Sequence, residues 1–441
     1  MTADDMAVDP ARNAETETAV RNPDPDQKRK PKRTSKRTSK RTWRQWFKDA
    51  LANAAVVTVT LLITYAIGEF LFFRFMLPYM PLSLRPYMPE QADYFLQNAK
   101  SNYVPHDYIA LVGDSYAAGL GDWLLATGDK KDKPYHSANV LHDLLKRDVI
   151  TFGRAGAGSA EGMVLRVSRI LDDRSCYLFP PIEEPARILM YFYEGNDLDD
   201  NYFLLRNSIK PAGGDIAPSV DKFLAEDYAQ SSHWRCHGNL GDLIFRLARF
   251  AARYAGRTGG IIDLNPDSRN LAIIAGKPQA VGGMQVPALG QTDAQIDDSV
   301  VVYSRSLDWL RHRFPNTPVT VVYLPAPATV YRFARPEFIA RDVYTPDRGP
   351  KFYFNDAAVA VDRIYSNSQK ICEKIRAASL AEGAGFIDTR PALRRAAAKT
   401  NIHGPRDYNH LNEVGYRTVG TLLAGRIDDA GARDACDDSW P

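Results

Sequence analysis

The chain has 441 residues, 45% hydrophobic and 11% aromatic, so it can fold around a large core and is not an intrinsically disordered chain. Its net charge of +3 is unevenly distributed, because residues 1–50 hold 13 Lys and Arg against 8 Asp and Glu, a net of +5. The remaining residues therefore carry 3 − 5 = −2. This balance excludes nucleic-acid binding by the charge of the main body of the protein.

The basic excess lies in one low-complexity segment, Lys28–Arg44, and an apolar run, Leu51–Phe73, follows it. The run holds 18 uncharged residues before Glu69, about the length that crosses a bilayer as a helix. Many cations precede the run and few follow it, which is typical of a helix whose N-terminal side stays in the cytoplasm. We therefore predict a single-pass anchor in the inner (cytoplasmic) membrane over residues 50–74. The body of the chain would then be periplasmic, and the basic segment would contact anionic lipid headgroups.

Composition along the chain predicts five parts. They are a basic cytoplasmic segment (1–49), the transmembrane helix (50–74), an extracytoplasmic linker (75–105), a large domain (106–430) that contains an insertion (198–292), and a C-terminal tail (431–441). The insertion is rich in Gly, Pro and Asp and shows one helical piece near Leu240–Tyr254.

Short apolar runs alternate with helical patterns in the large domain. The runs predict strands at Tyr108–Val112, Val149–Phe152, Ile188–Tyr193, Val319–Leu324 and Gly385–Ile387. The helical patterns lie at about Ala138–Arg147, Glu161–Leu171, Asp293–Arg313, Asp356–Ala381 and Glu413–Ile427. This alternation predicts an α/β fold, a three-layer α/β/α doubly wound parallel sheet with an insertion, preceded by one transmembrane helix.

Four cysteines follow the predicted anchor, and an even number in an oxidising compartment allows two disulfides. Three pairings are compatible with the sequence. We favour Cys176–Cys236 and Cys372–Cys436, since one bond would close the insertion and the other would hold the C-terminal tail. Four free buried thiols are the alternative.

Polar or glycine-rich segments follow the predicted strands. Gly113-Asp114-Ser115 follows the first, TFGRAGAGS (151–159) the second, Gly195-Asn196-Asp197 the third, and RDYNHLNEVGY (406–416) follows a short helix after the last. Because ligands bind beyond the carboxyl ends of the strands in an open parallel sheet, we expect these segments to meet at one edge. Gly-Asp-Ser alone is also a common turn sequence, so a functional role for Ser115 is inferred only from the four segments together.

The residue types in these segments are those that acyl transfer requires. A serine hydroxyl such as that of Ser115 becomes nucleophilic when a base removes its proton, and His410 can act as that base. Asp407, three residues before His410, can hold the other ring nitrogen. The Ser115 backbone N–H, a glycine N–H of the second segment and the Asn196 amide can stabilise an oxyanion.

These four segments resemble, in order, the conserved blocks of the SGNH (GDSL) hydrolase superfamily, whose fold is flavodoxin-like. The resemblance covers residues 108–416 and is strongest at the Asp-x-x-His block of Asp407 and His410. It implies that Gly156 is the oxyanion glycine, with Gly158 as the alternative. The chain departs from the pattern at Tyr116, Thr151 and Ala155, where Leu, Asn and Pro are usual, and Gly195 directly precedes Asn196.

Other polar residues near these segments have two readings. Tyr116, Glu194, Asp197 and Asn412 are candidates for lining a substrate pocket, although packing explains Tyr116 equally well and a turn-stabilising role explains Asp197 and Asp114. His403 is interpreted as a loop or substrate-contact histidine. Asp199-Asp200 is interpreted as a solvated helix start.

We therefore predict a membrane-anchored extracytoplasmic serine esterase that removes O-acyl groups through a Ser-His-Asp acyl-enzyme mechanism, with no metal or organic cofactor. The resemblance to anchored bacterial members implies acetate on a cell-surface polysaccharide as the substrate, and a membrane acyltransferase as a candidate partner. An acylated small molecule is an alternative substrate. Two alternative functions stay open: an O-acyltransferase that moves the acyl group to a glycan hydroxyl, and a non-catalytic glycan-binding or assembly protein.

Overall fold

A computed structural model describes residues 42–80, 90–122, 136–172, 179–211, 215–231, 240–241, 243–245, 248, 269–344, 354–429 and 431–441. Most of the basic segment Lys28–Arg44 and most of the helical piece near Leu240–Tyr254 lie outside these residues.

The described residues form nine strands and a set of helices. The strands are β1 (Ile109–Val112), β2 (Val149–Thr151), β3 (Arg187–Tyr193), β4 (Leu271–Ile274), β5 (Lys277–Ala280), β6 (Val319–Leu324), β7 (Glu337–Tyr344), β8 (Phe354–Ala360) and β9 (Gly385–Asp388). The α-helices are Trp43–Leu71, Glu90–Leu96, Ser115–Ala118, Ser137–Leu145, Arg166–Asp172, Asp197–Leu204, Ile216–Ser231, Asp293–Arg313, Val361–Ala381, Arg390–Ala397 and Glu413–Ala424, with π-helical turns at Phe72–Met76, Ser159–Leu165 and Leu205–Ile209.

Five of the strands form one parallel sheet in the order β2-β1-β3-β6-β9. The chain starts at β1, the strand next to one edge, moves out to that edge with β2 and then returns past β1 toward the other edge. This order reverses direction at β1, so the loops after β1 and β3 leave the sheet on either side of a crevice. The sequence therefore places the Ser115 and Asn196 segments at the switch point of a doubly wound sheet.

Helices cover both faces of this sheet. Alternate side chains of β1 face opposite cores, with Ala110 and Val112 in one and Ile109 and Leu111 in the other. The first core includes residues of the helix Asp293–Arg313, and the second includes residues of the helix Glu413–Ala424. The predicted three-layer α/β/α architecture is confirmed.

All five predicted sheet strands are present, and the helix predicted at Asp293–Arg313 has those bounds. The helix predicted from Asp356 begins instead at Val361, because residues 354–360 pair antiparallel with β7 as strand β8. Backbone groups that bond to a neighbouring strand are not available to a helix. The start of this predicted helix is therefore wrong by five residues (361 − 356).

The last part of the predicted insertion is built into the domain. Its hairpin β4–β5 is bridged to Phe333 through Ala272, and Met284 is bridged to Ala340. Val281, Met284 and Val286 are buried in the second core. This stretch therefore belongs to the same core as the sheet.

The cystine Cys372–Cys436 joins the helix Val361–Ala381 to the C-terminal tail, with its Cα atoms 6.0 Å apart. The prediction for this pair is confirmed. Cys176 and Cys236 lie outside the described residues.

The N-terminal helix Trp43–Leu71 carries large apolar side chains that are mostly exposed. Within the part of the chain that the structure describes, the stretch Trp43–Met76 is long and apolar enough to cross a membrane. This agrees with an anchor, and the type of membrane and the orientation remain predictions. Residues of the predicted linker, among them Tyr94 and Phe95, are buried in the first core.

Candidate active site

The Gly113-Asp114-Ser115 segment turns sharply from β1 into the one-turn helix Ser115–Ala118. The Asp114 carboxylate caps this helix by accepting a hydrogen bond from the Tyr116 backbone N–H at 2.9 Å. Gly113 has φ of +147°, and a Cβ there would lie 2.7 Å from the carbonyl oxygen of Tyr191, so only glycine fits. The turn-stabilising interpretation of Asp114 is confirmed, and Ser115 is placed at the first position of the helix.

The second segment is fastened to this turn on two sides. The Arg154 N–H donates to the Gly113 carbonyl oxygen at 3.0 Å, and the Gly113 N–H donates to the carbonyl oxygen of Gly162 at 3.2 Å. The Thr151 hydroxyl donates to the carbonyl oxygen of Ala117 and accepts from the Gly153 N–H. Thr151, one of the departures from the family pattern, therefore ties the second segment to the helix of Ser115.

The two candidate oxyanion glycines have different surroundings. Gly156 is exposed, has φ of +67°, and has no atom within 4 Å of where a Cβ would lie. Gly158 packs on the helix Asp197–Leu204, since a Cβ there would lie 2.9 Å from the Cβ of Asp200. The open position of Gly156 favours it over Gly158 for contact with a ligand.

Asn196 follows β3 and immediately precedes the helix Asp197–Leu204. Its side chain is half-buried, and its Oδ1 is buried with no hydrogen-bond partner among the described residues. The neighbouring Asp197 carboxylate accepts from the Tyr193 N–H at 2.7 Å, which closes the turn. The turn therefore fixes the backbone of Asn196. The side-chain oxygen of Asn196 makes no hydrogen bond to the described residues.

His410 joins the two ends of the domain. Its Nε2 lies 2.9 Å from Ser115 Oγ, and its Nδ1 lies 2.6 Å from Asp407 Oδ2. A carboxylate only accepts hydrogen bonds, so Nδ1 carries the proton and Nε2 is left to accept from the serine hydroxyl. Burial of Asp407 acts to raise its pKa, but the hydrogen bond and charge of His410 outweigh it and hold the pKa below its ordinary value. Ser115, His410 and Asp407 thus form one hydrogen-bonded chain.

The Ser115 hydroxyl has a second acceptor. Its Oγ lies 3.1 Å from Oδ2 of Asp114, which is fully buried. Burial raises the pKa of Asp114, although hydrogen bonds from the Tyr116 N–H and nearby His410 oppose the change. The hydroxyl proton therefore has two acceptors within hydrogen-bond distance, the ring of His410 and the Asp114 carboxylate that caps its own helix.

Asp122 fixes the loop that carries His410, although no motif or periodicity in the sequence marks it. Its carboxylate accepts from the backbone N–H of Arg406 at 3.0 Å and of Asp407 at 2.6 Å. The Tyr116 hydroxyl donates to the Asn409 carbonyl oxygen at 2.7 Å, and its ring lies 5.4 Å from that of His410. Tyr116 and Asp122 are thus positioning residues for this loop.

The insertion also reaches this loop, through Gln285. Its backbone N–H donates to Asn409 Oδ1 at 3.0 Å, and its Oε1 accepts from the Tyr193 hydroxyl at 2.6 Å. The Tyr193 ring in turn stacks on Tyr116 at 4.1 Å. Gln285 lies in irregular sequence between glycines and prolines, so no periodicity or motif marks it.

The structure does not support the prediction that Tyr116, Glu194, Asp197 and Asn412 line a substrate pocket. Tyr116, Glu194 and Asp197 are 1%, 0% and 0% exposed, so they have no surface to offer a substrate. Glu194 accepts from the Tyr323 hydroxyl at 2.9 Å, and burial raises its pKa to about 7. Asn412 caps the helix Glu413–Ala424 by accepting from the N–H groups of its first turn. These four residues therefore support the segments that carry Ser115, Asn196 and His410 and do not face a substrate.

Two further interpretations are corrected. Asp199 is buried and Asp200 half-buried, so neither is fully solvated, and burial raises their pKa to about 7 and about 8. Asp199 accepts from Gln291 Nε2 at 2.7 Å, so residues after the β4–β5 hairpin cover this turn. His403 is 1% exposed, and burial lowers its pKa to about 3, so it is a neutral core residue beside Tyr331 and not a substrate contact.

Among the described residues, no group of three or more His, Cys, Asp and Glu side chains is arranged to hold a metal ion. The chemistry that this arrangement can perform is proton transfer from a serine hydroxyl to an imidazole that a carboxylate orients.

Comparison with protein-family models finds no match, and comparison with curated proteins finds none either. Two solved structures share features of the fold. An acetyl xylan esterase (Est2A) from the rumen bacterium Butyrivibrio proteoclasticus aligns with 74% of this chain and 64% of its own length, at 13% identity and a TM-score of 0.31. A carbohydrate esterase family 2 enzyme with a carbohydrate-binding domain from Corynascus thermopiles (Myceliophthora fergusii) aligns with 75% of this chain and 68% of its own, at 11% identity and a TM-score of 0.32.

The chain therefore spans less than two thirds of the length of the first of these esterases. Identities and TM-scores at this level define neither an activity nor a substrate for this chain.

Proposed function

We propose that this protein is a membrane-anchored serine esterase of the SGNH type that cleaves O-acyl esters. The observation that carries the proposal is the hydrogen-bonded chain from Ser115 Oγ through His410 to Asp407, with successive distances of 2.9 and 2.6 Å. The nucleophile and its base come from opposite ends of the domain, 295 residues apart. A contact of this kind between a serine, an imidazole and a carboxylate is the arrangement that activates a serine hydroxyl.

In the proposed reaction, Ser115 Oγ attacks the carbonyl carbon of the ester while its proton passes to Nε2 of His410. The resulting imidazolium is stabilised by Asp407. When the tetrahedral intermediate collapses, the bond to the leaving alcohol breaks and His410 gives that alcohol the proton. Water then attacks the acyl-enzyme with His410 again as the base, releasing the acid and restoring the serine.

The oxyanion of each tetrahedral intermediate needs donors that are fixed in advance. We assign this role to the backbone N–H groups of Ser115 and Gly156 and to the side-chain amide of Asn196. The proposal is supported by the hydrogen bonds that fasten the Gly156 segment beside Gly113 and by the half-buried position of Asn196 directly after β3 and before the helix Asp197–Leu204. Each such donor is worth about 3–4 kcal/mol where it has been measured.

The substrate class and location are part of the same proposal. We infer that the apolar helix Trp43–Leu71 anchors the domain outside the cytoplasmic membrane and that the basic segment before it contacts anionic lipids. A tethered esterase acts on a substrate made or held at the same membrane. Together with the resemblance to anchored bacterial SGNH proteins, this favours O-acetyl groups on a cell-surface polysaccharide.

A fluorophosphonate probe tests the assignment of the nucleophile, because it reacts only with an activated serine. We expect the purified full chain to be labelled and Ser115→Ala to be unlabelled, with His410→Ala labelled far more slowly. Ser439→Ala, which changes a serine of the C-terminal tail, is the matched control and keeps full labelling. Labelling of Ser115→Ala at the rate of the unchanged protein would overturn the assignment.

Turnover of a short chromogenic acyl ester separates the proposed esterase from its alternatives. Release of the acyl group to water alone supports the esterase, and faster release with transfer to an added glycan indicates an O-acyltransferase. An unlabelled serine and no turnover would support a non-catalytic protein.

A further inference from the structure

Two polar side chains interrupt the apolar anchor helix near its end, and both contact the insertion. The Tyr65 hydroxyl lies 3.3 Å from Glu69 Oε1, one helical turn away. Glu69 Oε1 also accepts from the Leu240 backbone N–H at 2.7 Å, and the Tyr65 hydroxyl oxygen accepts from the Gly241 N–H at 3.0 Å. Glu69 is only 6% exposed.

This arrangement satisfies two requirements of polar groups in apolar surroundings, which a lipid environment makes stricter. A carboxyl group in an apolar helix is costly unless it is hydrogen-bonded to protein groups. Backbone N–H groups that enter a lipid environment must likewise find partners within the protein. Glu69 and Tyr65 supply acceptors for the N–H groups of Leu240 and Gly241, so each side satisfies the other.

The exposure of the anchor helix locates the membrane surface relative to these contacts. Ile67 and Leu71 are 55% and 47% exposed, whereas Phe73 is fully buried against Phe179, and its carbonyl oxygen accepts from Tyr103. Protein therefore covers the Phe73 side of the chain, about 12 Å along the helix from Tyr65, while Phe75 and Met76 stay 58% and 52% exposed. The contacts to Leu240 and Gly241 lie in the stretch where the exposed apolar helix first borders the domain.

The helical residues that follow Leu240 and Gly241 include two adjacent large apolar side chains that are exposed. Ile244 and Phe245 are 57% and 64% exposed, while Leu243 is 3% exposed and packs in the first core. Phe245 is four residues after Gly241, about 6 Å along a helix. The exposed pair is thus held close to the level at which the anchor helix leaves the domain.

We infer that Ile244 and Phe245 enter the outer leaflet beside the anchor helix, so that the domain lies against the bilayer on two apolar elements instead of hanging from a single tether. This inference rests on the membrane anchoring in the proposed function. A lipid surface is the occupant because the pair is continuous, through two hydrogen bonds, with a helix whose own exposed apolar surface requires lipid.

The test places an environment-sensitive fluorophore on a single introduced cysteine in the full chain, reconstituted into vesicles of phosphatidylcholine and phosphatidylglycerol. Lipids with a nitroxide at the headgroup or deep in the acyl chain serve as quenchers. The labelled variants are Phe245→Cys, Val59→Cys in the middle of the anchor, and Leu144→Cys. Leu144 is an equally exposed leucine, 55% exposed, on a helix of the other face of the sheet. The unchanged chain controls for labelling of native cysteines.

We expect the headgroup nitroxide to reduce the Phe245→Cys signal roughly twofold, because an interfacial side chain lies at the headgroup–acyl boundary, and to leave Leu144→Cys unchanged. The deep nitroxide should quench Val59→Cys most. A quenched Val59→Cys with a Phe245→Cys signal like that of Leu144→Cys would overturn the inference while leaving the anchor intact. An unquenched Val59→Cys would overturn both.

A matched pair of changes at Glu69 tests the hydrogen bonds in the Phe245→Cys chain. Glu69→Gln keeps an oxygen acceptor for the Leu240 N–H and should preserve headgroup quenching, whereas Glu69→Leu removes it and should reduce quenching toward the Leu144→Cys level. Hydrolysis of a soluble ester, which the inference leaves unchanged, shows that both variants are folded. Equal quenching in the two variants would refute the role of Glu69.

Discussion

Replacing Asp407 by Asn tests whether the carboxylate of the Asp-x-x-His segment holds His410 in the orientation and tautomer that a base requires. The Asp407 carboxylate orients His410 with its proton on Nδ1, at 2.6 Å, and keeps Nε2 free as an acceptor. An Asn amide can donate to Nδ1 instead. That interaction moves the proton to Nε2, where His410 cannot accept one from Ser115.

The magnitude follows from the charge that Asp407 supplies in the transition state. The side chains of His410 and Asp407 are 19% and 25% exposed, so their interaction is only partly screened by water. Two unit charges about 4 Å apart interact by about 4 kcal/mol at an effective dielectric constant of 20. Because each 1.36 kcal/mol is a factor of ten in rate, we expect kcat to fall about a thousandfold.

The assay is steady-state hydrolysis of a short chromogenic ester, with thermal unfolding measured on the same samples. Asp407 Oδ1 also accepts from the Asn409 N–H at 3.0 Å, and Asn can keep this bond, so the loop should stay folded. Asp429→Asn makes the same chemical change in a surface ion pair with Arg426 and should leave kcat within about twofold. If Asp407→Asn kept kcat within about tenfold of the unchanged enzyme, with the loop intact, the role of Asp407 would be refuted.

Two further predictions concern the oxyanion donor and the buried acids. Asn196→Ala should lower kcat about 10²–10³-fold with little change in KM, since the amide donor acts on the oxyanion. The control is Asn207→Ala, which changes an asparagine that donates to the Phe203 carbonyl oxygen and should leave the kinetics unchanged. Asp199→Asn should raise the thermal stability at pH 8 and leave it unchanged near pH 4, as measured by calorimetry across pH. Burial raises the folded-state pKa of Asp199 to about 7, so the folded unchanged protein binds a proton that the unfolded chain has lost, and its stability falls as pH rises toward 7. A stability difference independent of pH would contradict this reasoning.

The sheet could be predicted because its strands are almost entirely buried and are therefore mostly apolar. Strand β1 is a continuous apolar run, and β6 is interrupted only by Thr320. Strand β8, which pairs only with β7 in a separate two-stranded sheet, does not show such an apolar run. Its last residues, DAAVA, favour a helix by composition and run directly into the helix Val361–Ala381, and only pairing with β7 holds them extended.

The site could be predicted where its chemistry is local and not where it depends on folding of the insertion. Asp407 and His410 are close in sequence, so their contact follows from a helical-turn spacing. Asp199 is covered instead by Gln291, and the position of the His410 loop depends on Gln285. Both glutamines lie in a stretch without helical or strand periodicity, so the sequence does not mark these contacts. The pocket-lining interpretation of Glu194 failed for a different reason, since its contact with Tyr323 of the neighbouring strand β6 could not be read from local sequence.

The buried acids bear on how the proposed anionic intermediate can form beside so many carboxyl groups. Burial raises the pKa of Asp197, with the nearby Asp114 carboxyl as the next cause, and burial raises the pKa of Asp200 to about 8, with the carboxyl of Asp199 as the next cause. If these groups were ionised, their charges would oppose the negative oxygen that forms next to Asn196. A pKa of about 8 keeps Asp200 mostly protonated at neutral pH, and burial shifts the pKa of Asp197 in the same direction, whereas the pKa of Asp407 is lowered despite its burial by the hydrogen bond and charge of His410. These opposite shifts favour negative charge at Asp407, where it would stabilise the imidazolium of the proposed reaction, over negative charge beside Asn196.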